Sequence, residues 1–412
     1  VRVSERWLWV LLLPVLFRPS SAHAQIDPVK RELIQVGYNQ PIVGQAPLAG
    51  YAFYYYNQPG FLNTNLTLRL AIAPVYLDSE LGIRNVLGTN TDIGIGLAGG
   101  GFADSYFEVR QGKYIPAESF DGYGGILSGS VYHLFNPNQL IPLNGVLRGE
   151  AHYANYARDS DTDPNFTLPQ DLTTFNVRTG LRLGGMEPLM LPDVAMELSI
   201  WYEGQFRENY GYYGYPVNGS LGDRQVEAAS HLFWARALFA YTLPKSKQNF
   251  LVSLTAGTSS SPDRFSAYRL GGLLPLASEF PLSLPGYYYQ EISASRFALL
   301  NGNYSIPLDA KKRWALTAVG SIAVVDYLPG LEQPGQWNSG VGGGITYRSN
   351  SGAWQAMLDY GYGFQAIRDN GRGGQSIGIL IQLNLIRTDT EYYNPGENSF
   401  IRGMDRFIRS FN

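Results

Sequence analysis

Three groups of side chains in this sequence have types and spacings that could do chemistry. Ser128, Ser130 and His133 lie close together in the chain, and a serine hydroxyl beside an imidazole is the core of an acyl-transfer nucleophile. No Gly-x-Ser-x-Gly elbow frames either serine, however. The second group is a set of alternating charges of both signs: Arg69, Arg148, Glu150, His152, Arg178, Arg182, Glu197, Glu203, Arg348 and Asp359. Mixed signs suit a wet interior cross-linked by ion pairs; the sequence shows no single-sign ring of the kind that selects ions. The third is a stretch rich in glycine and tyrosine, 265–308, which contains Arg269, Gly271, Gly272, Gly286 and Tyr287. Cysteine is absent, which removes thiolate nucleophiles, thiolate metal sites and disulfides. No metal-ligand spacing appears, so neither a metal nor any other cofactor is expected.

The elements that would hold these residues have a period of two. Leu66, Leu68, Leu70 and Ile72 share a face opposite Thr67 and Arg69, and Phe175, Val177, Leu181 and Leu183 oppose Asn176, Arg178 and Arg182. Val194, Met196, Leu198, Ile200 and Tyr202 oppose Glu197, Ser199 and Glu203, and Ile377, Ile379, Ile381 and Leu383 oppose Gly378 and Gln382. About fourteen such runs follow residue 48, each of about ten residues, the length of a tilted membrane strand. Sixteen is equally tenable if weak strands sit in 30–44, 102–116 or 205–217. Composition agrees with strands that have one greasy and one wet face. Charged residues are 16 % of the chain, below the roughly one quarter of an ordinary soluble protein, and aromatics reach 14 %. Aromatics near run ends (51–56, Trp201, Tyr202, Phe233, Trp234, Trp314, Trp354, 360–362) resemble the two girdles of a membrane barrel. A soluble sandwich or propeller fits less well, because the runs exceed the usual globular strand and no blade-length repeat occurs.

The chain ends predict export and a docking segment. Arg2 and Arg6 precede the apolar run 7–17, and Ala22-His23-Ala24 supplies small residues before Gln25. This is the three-part plan of a cleaved signal peptide, 1–24. Residues 25–47 read as a periplasmic segment, 48–386 as the barrel and 387–412 as a tail. In that tail Phe400, Met404, Phe407, Ile408 and Phe411 fall at helical spacing with arginines elsewhere on the wheel. Such a basic amphipathic helix could lie on the membrane or meet another envelope protein. The acidic balance, net charge −3, gives no support for nucleic-acid binding.

The region 265–308 carries a resemblance. Arg269-Leu-Gly-Gly272, Gly286-Tyr287 and Tyr304-x-x-Pro307-Leu308 resemble the barrel of the bacterial surface-antigen, BamA-type assembly and secretion superfamily, including that of patatin-like autotransporters. The resemblance implies a long loop, here 258–292, that folds into the lumen. Ser376-x-Gly378-x-x-Ile381-x-Leu383 is similar to the closing strand by which such barrels are recognised, with Ile in the aromatic place. The resemblance covers roughly 250–386. One position departs from it: the family's loop-tip arginine, which pairs with an acid on the barrel wall, falls on Pro285. Arg269 or Arg296 would then take its place, with Asp359 or Glu203 as partner.

The expectation is therefore an all-β transmembrane antiparallel barrel of about 14–16 strands with a lumen-entering loop, lodged in the outer membrane of a Gram-negative-type bacterium. Its expected role is non-enzymatic, in outer-membrane protein assembly or secretion or as a structural member of an envelope complex. A passive porin-like channel for small polar solutes is the alternative, and a rim-serine acyl hydrolase the second alternative.

Overall fold

Lipid offers no partners to backbone N–H and C=O groups, so a sheet in a membrane must close on itself. The computed structural model describes residues 29–386 except 140, 186–193, 218–221, 244, 275–279 and 312. In it, sixteen antiparallel strands form one closed wall: β1 (Arg31–Pro41), β2 (Ala49–Pro59), β3 (Leu66–Ala73), β4 (Tyr76–Ile83), β5 (Thr91–Gly100), β6 (Asp121–Leu134), β7 (Leu143–Ala157), β8 (Leu172–Gly185), β9 (Val194–Glu208), β10 (Ala229–Thr242), β11 (Asn249–Ser260), β12 (Ile292–Pro307), β13 (Trp314–Tyr327), β14 (Trp337–Arg348), β15 (Trp354–Arg368) and β16 (Gly371–Asn384). Each pairs with the next, and β1 pairs with β16 from Leu33↔Asn384 to Pro41↔Ser376, which closes the ring. The predicted leader, and the tail with Phe400, Met404, Phe407 and Phe411, lie outside the described residues.

The count is sixteen because two strands stand outside the periodic runs. β1 lies in the stretch 25–47 that reads as a segment ahead of the barrel. β4 is short, only 8 residues, and two residues separate it from β3. The other two windows supply no additional wall strand: 102–116 lies in the β5–β6 connection, and 205–217 is the end of β9 and the connection after it.

Parity sorts the side chains along the regular stretches of each strand. Leu198 and Ile200 on β9, Ile377, Ile379, Ile381 and Leu383 on β16, and Leu316 and Ile322 on β13 are exposed on the outer wall, the face that meets lipid. Trp314, Tyr347 and Trp354 pack in a row at one rim, with centroids 4.6 and 4.8 Å apart, as a girdle should. Trp201 and Trp234 do not belong to a girdle. They share parity with Glu197 and Arg236 and stack inside the lumen at 6.2 Å.

Connections at the girdle rim are short, whereas those at the opposite rim include 101–120, 158–171, 209–228 and 261–291. Long connections mark the outer side of such barrels. Wall height is uneven. β3 and β4 have 8 residues each, about 20 Å at ~3.3 Å per residue and a ~40° tilt, while β12 has 16.

The β1–β16 seam can be tested by cross-linking. Val36 and Ile381 are directly opposed on the lipid face, at a spacing a disulfide can bridge. Since the chain has no cysteine, the double variant Val36→Cys, Ile381→Cys should cross-link on mild oxidation. The bond would circularise the wall, detected as a shifted band on a denaturing gel. A single-cysteine variant should not shift.

Candidate functional site

Two structures built from the long connections lie at the outer end of the lumen. The first is a dome. Tyr106, Phe120, Phe166, Tyr213 and Val226, from three different connections, pack into one buried cluster with Phe265. The backbone ties them together: Asp163 N–H donates to Ala117 O at 2.9 Å, and Thr167 and Gly214 exchange bonds at 2.9 and 2.8 Å. Beside this cluster sits a buried ionic network. Glu108 lies between Arg264 at 3.2 Å and Arg224 at 3.6 Å and accepts from the Tyr106 hydroxyl at 2.5 Å. Glu118 accepts from both Arg224 and Arg110. Arg207 joins Asp263 at 2.8 Å, and the Asp263 carboxylate also takes the backbone N–H groups of Glu227, Phe265 and Ser266.

Burial alone would push the Glu108 carboxyl up, but the Arg264 and Arg224 guanidinium groups and the Tyr106 hydroxyl bring it below its ordinary value. Arg224 is pushed down to about 10, first by burial and also by its neighbours Arg264 and Arg110, against the pull of Glu108.

The second structure is the connection 261–291, which crosses the lumen. Tyr268–Leu270 adds a short strand to β12, and Gly272 pairs with Leu284 to form a narrow finger. Leu270, Leu284 and Tyr287 pack against Phe297, Leu299, Val325 and Ala366 of β12, β13 and β15. Leu274 reaches Ala49 and Leu380, on the β2 and β16 side. Phe280 lies against Trp201 and Trp234 at 5.5 and 5.8 Å, where the guanidinium groups of Arg178 and Arg236 sit 5.4 and 4.5 Å from its ring. Hence the loop touches the wall on several sides.

Its fastening is a buried ion pair. Arg368 of β15 grips Glu291 with two bonds, 3.1 and 3.0 Å, and gives a third, 3.0 Å, to Gly286 O. The guanidinium lies 3.7 Å from the centre of the Tyr288 ring, while Tyr288 N–H donates to Glu291 at 2.7 Å. Both side chains are almost wholly buried, 1 and 0 % exposed. Removing one partner of such a pair leaves a buried charge alone and costs about 3–5 kcal/mol. At the tip, Gly286 has φ +82° and lies so close to the wall that an added Cβ would strike the backbone of Tyr362, Gly363 and Gly374. Pro285 sits against Gly340 and Gly361, and Tyr287 donates to Asn338 at 3.1 Å.

The substitutes named for the missing tip arginine are not the ones used. Arg269 donates to Phe107 O at 2.9 Å, and Arg296 is exposed on the outer wall opposite Asp326. Glu203 accepts from Gln205 at 2.8 Å, and Asp359 is buried in the wall with no hydrogen bond at Oδ1. The pair is inverted instead: the acid, Glu291, is on the loop and the arginine, Arg368, on the wall.

Several other lumen charges pair with near neighbours. Arg148 meets Glu150 at 2.7 Å; Arg182 and Arg236 share Glu197 at 3.6 and 2.6 Å; Arg69 meets Glu80 at 3.1 Å. Arg178 lies 4.9 Å from the Trp201 ring. Gly271 and Gly272 have φ +135° and +90°, at the base of the finger. On β16, Ser376 and Gly378 face the lumen, with Gly378 under Leu274, while Ile381 and Leu383 face lipid. The serine–histidine arrangement does not form: His133 points to the outer face and contacts Thr91 at 2.8 Å, whereas Ser128 and Ser130 point inward. Ser128 accepts from Arg148 at 3.1 Å.

Solved structures share this fold. CdiB from Acinetobacter baumannii matches with TM-score 0.56 and 11 % identity, over 86 % of this chain and 60 % of that one. BamA from Haemophilus ducreyi lacking POTRA domains 1–3 matches at 0.52 and 10 %, over 86 % and 71 %, and CdiB from Escherichia coli at 0.51 and 12 %, over 85 % and 63 %. The chain thus spans about 60 % of the length of the first CdiB structure. No protein-family model and no curated protein matches the sequence. The fold is that of a BamA-type outer-membrane barrel.

The dome should respond to acid. Because the Glu108 carboxyl is held below its ordinary value of 4.5, its contribution is fully present above that pH and is lost as pH falls through the lowered value. Limited proteolysis of the folded barrel should therefore leave 101–120 and 222–228 intact at neutral pH and cut them increasingly as the pH falls below 4.5. Glu108→Gln should be cut at neutral pH.

Proposed function

We propose that this chain is the barrel of a non-enzymatic outer-membrane protein that acts with other envelope proteins, in assembly or secretion or as a structural member of their complex. The observation that carries this reading is the connection 261–291, held across the lumen by the buried Glu291–Arg368 pair. A diffusion pore needs an unobstructed path. A loop clamped to the wall by charge, by Gly286 and by Phe280 instead favours a lumen closed at rest. The loop and closing-strand motifs, which resemble assembly and secretion barrels, support the same direction. Export through a cleaved signal peptide and docking of a partner on Phe400, Met404, Phe407 and Phe411 belong to this proposal.

Planar-bilayer recording separates it from the passive channel. The intact chain should be silent, Glu291→Gln should flicker open, and a variant lacking residues 268–288 should conduct steadily. Steady conductance of the intact chain would transfer the assignment to a porin-like channel. A stably associated envelope protein in gentle detergent extracts is the second expected result.

A further inference from the structure

Between the dome and the lumen loop lies a chamber of about 340 Å³, adjoined by a second of about 300 Å³, and Asp104 and His152 line both. Its volume is at the lower end of the range that holds small ligands. Three barrel strands, the dome and the loop all contribute to its lining. β7 supplies His152 and Tyr156, β8 supplies Thr174 and Asn176, and the loop supplies Phe265 and Arg269.

The hydrogen-bonding state of these groups is uneven. The chamber's other two arginines, Arg207 and Arg264, are each neutralised by a carboxylate, Asp263 and Glu108. Arg269 is different. Among the described residues no carboxylate lies within 4.0 Å of it; its partners are the Phe107 carbonyl and the face of Tyr106, 5.2 Å away. Its Nε makes no hydrogen bond, and neither does the Asn176 Oδ1 on the same lining. Asp104 and His152 hold each other at 3.1 Å, leaving the carboxylate further acceptor capacity and the imidazole its other nitrogen. A partly buried guanidinium without a counter-charge is costly to keep, and an anion is the group that would complete it.

We propose that this chamber binds a monosaccharide-sized sugar acid. The carboxylate meets Arg269, the ring lies against Tyr156 or Phe265, and the hydroxyl groups engage Asn176, Asp104 and His152. Amide, carboxylate and imidazole groups beside aromatic rings suit hydroxyl-rich ligands, and the unneutralised arginine sets the requirement for acid. The proposal does not depend on the role assigned above to the barrel.

Titration calorimetry of the full chain in detergent, with D-glucuronate and D-glucose as probes, tests it. Glucuronate should bind saturably and about 10–100-fold more tightly than glucose, the size expected of a hydrogen-bonded charge pair. Arg269→Met should abolish that preference, Arg269→Lys should keep part of it, and Asn176→Leu should weaken both sugars while retaining it. Heat-modifiable gel migration and an unchanged dome cleavage pattern verify that each variant is folded. Equal binding of the two sugars, a preference that survives in Arg269→Met, or no saturable heat from the folded wild type at about 10 mM glucuronate would each overturn the proposal.

Discussion

The Arg368 guanidinium has few acceptable positions in this molecule. It projects from a wall strand into a buried part of the lumen, where an unpaired charge is among the most expensive groups a fold can carry. Its two bonds to Glu291, its bond to Gly286 O and its stacking on Tyr288 remove that cost only if the loop is in place. The same contacts bring Gly286 against the β15 and β16 backbone and Pro285 against Gly340 and Gly361, which in turn places Leu274 and Phe280 on their sides of the lumen. Wall and loop are therefore one packing problem. The closed barrel positions the arginine, and the arginine determines where the loop must lie.

The dome applies the same physics outside the membrane, with a different balance. Its aromatic cluster could pack several ways if it were held by area alone, because burial is non-directional. Glu108 and Glu118, shared among Arg110, Arg224 and Arg264, restrict those choices, since each carboxylate must meet guanidinium groups from more than one connection. Arg207 and Asp263 then link the dome to β9 and to the start of the lumen loop. The dome and the lumen loop meet at 263–270, where Asp263 and Arg264 serve the dome and Tyr268 and Leu270 serve the wall.

Much of the wall was legible in the sequence, because one lipid face and one wet face impose a period of two on every long strand. β4 escaped notice for a physical reason: with 8 residues and both Asp78 and Glu80 on its lumen face, it presents too few apolar positions to stand out. Trp201 and Trp234 carry two signals that disagree. Aromatic identity suggests a girdle, but their parity with Glu197 and Arg236 already places them inside, where Phe280 uses them. The loop fastening left no comparable trace. Glu291 and Arg368 are single charges 77 residues apart at the edges of connections, and neither belongs to a periodic run. Only the register shift in the β15–β16 ladder, between Gly363 and Ile367, turns Arg368 toward the lumen.

The inverted pair also explains how Pro285 can stand where the resembling family has an arginine. A buried ion pair stabilises a loop against a wall whichever side carries which sign, because the attraction is symmetric in the two charges. What changes is the tip. Relieved of a long cationic side chain, the tip can approach the wall through backbone alone. It does so where Gly340, Gly361, Gly363 and Gly374 leave no side chains in the way and Gly286 adopts φ +82°. The arginine moved to β15 does more than supply charge. From there it also bonds the tip carbonyl and covers Tyr288, which a carboxylate at that position could not do, since it is acceptor-only when ionised. The loop is thus held by a donor on the wall reaching for backbone and acid together.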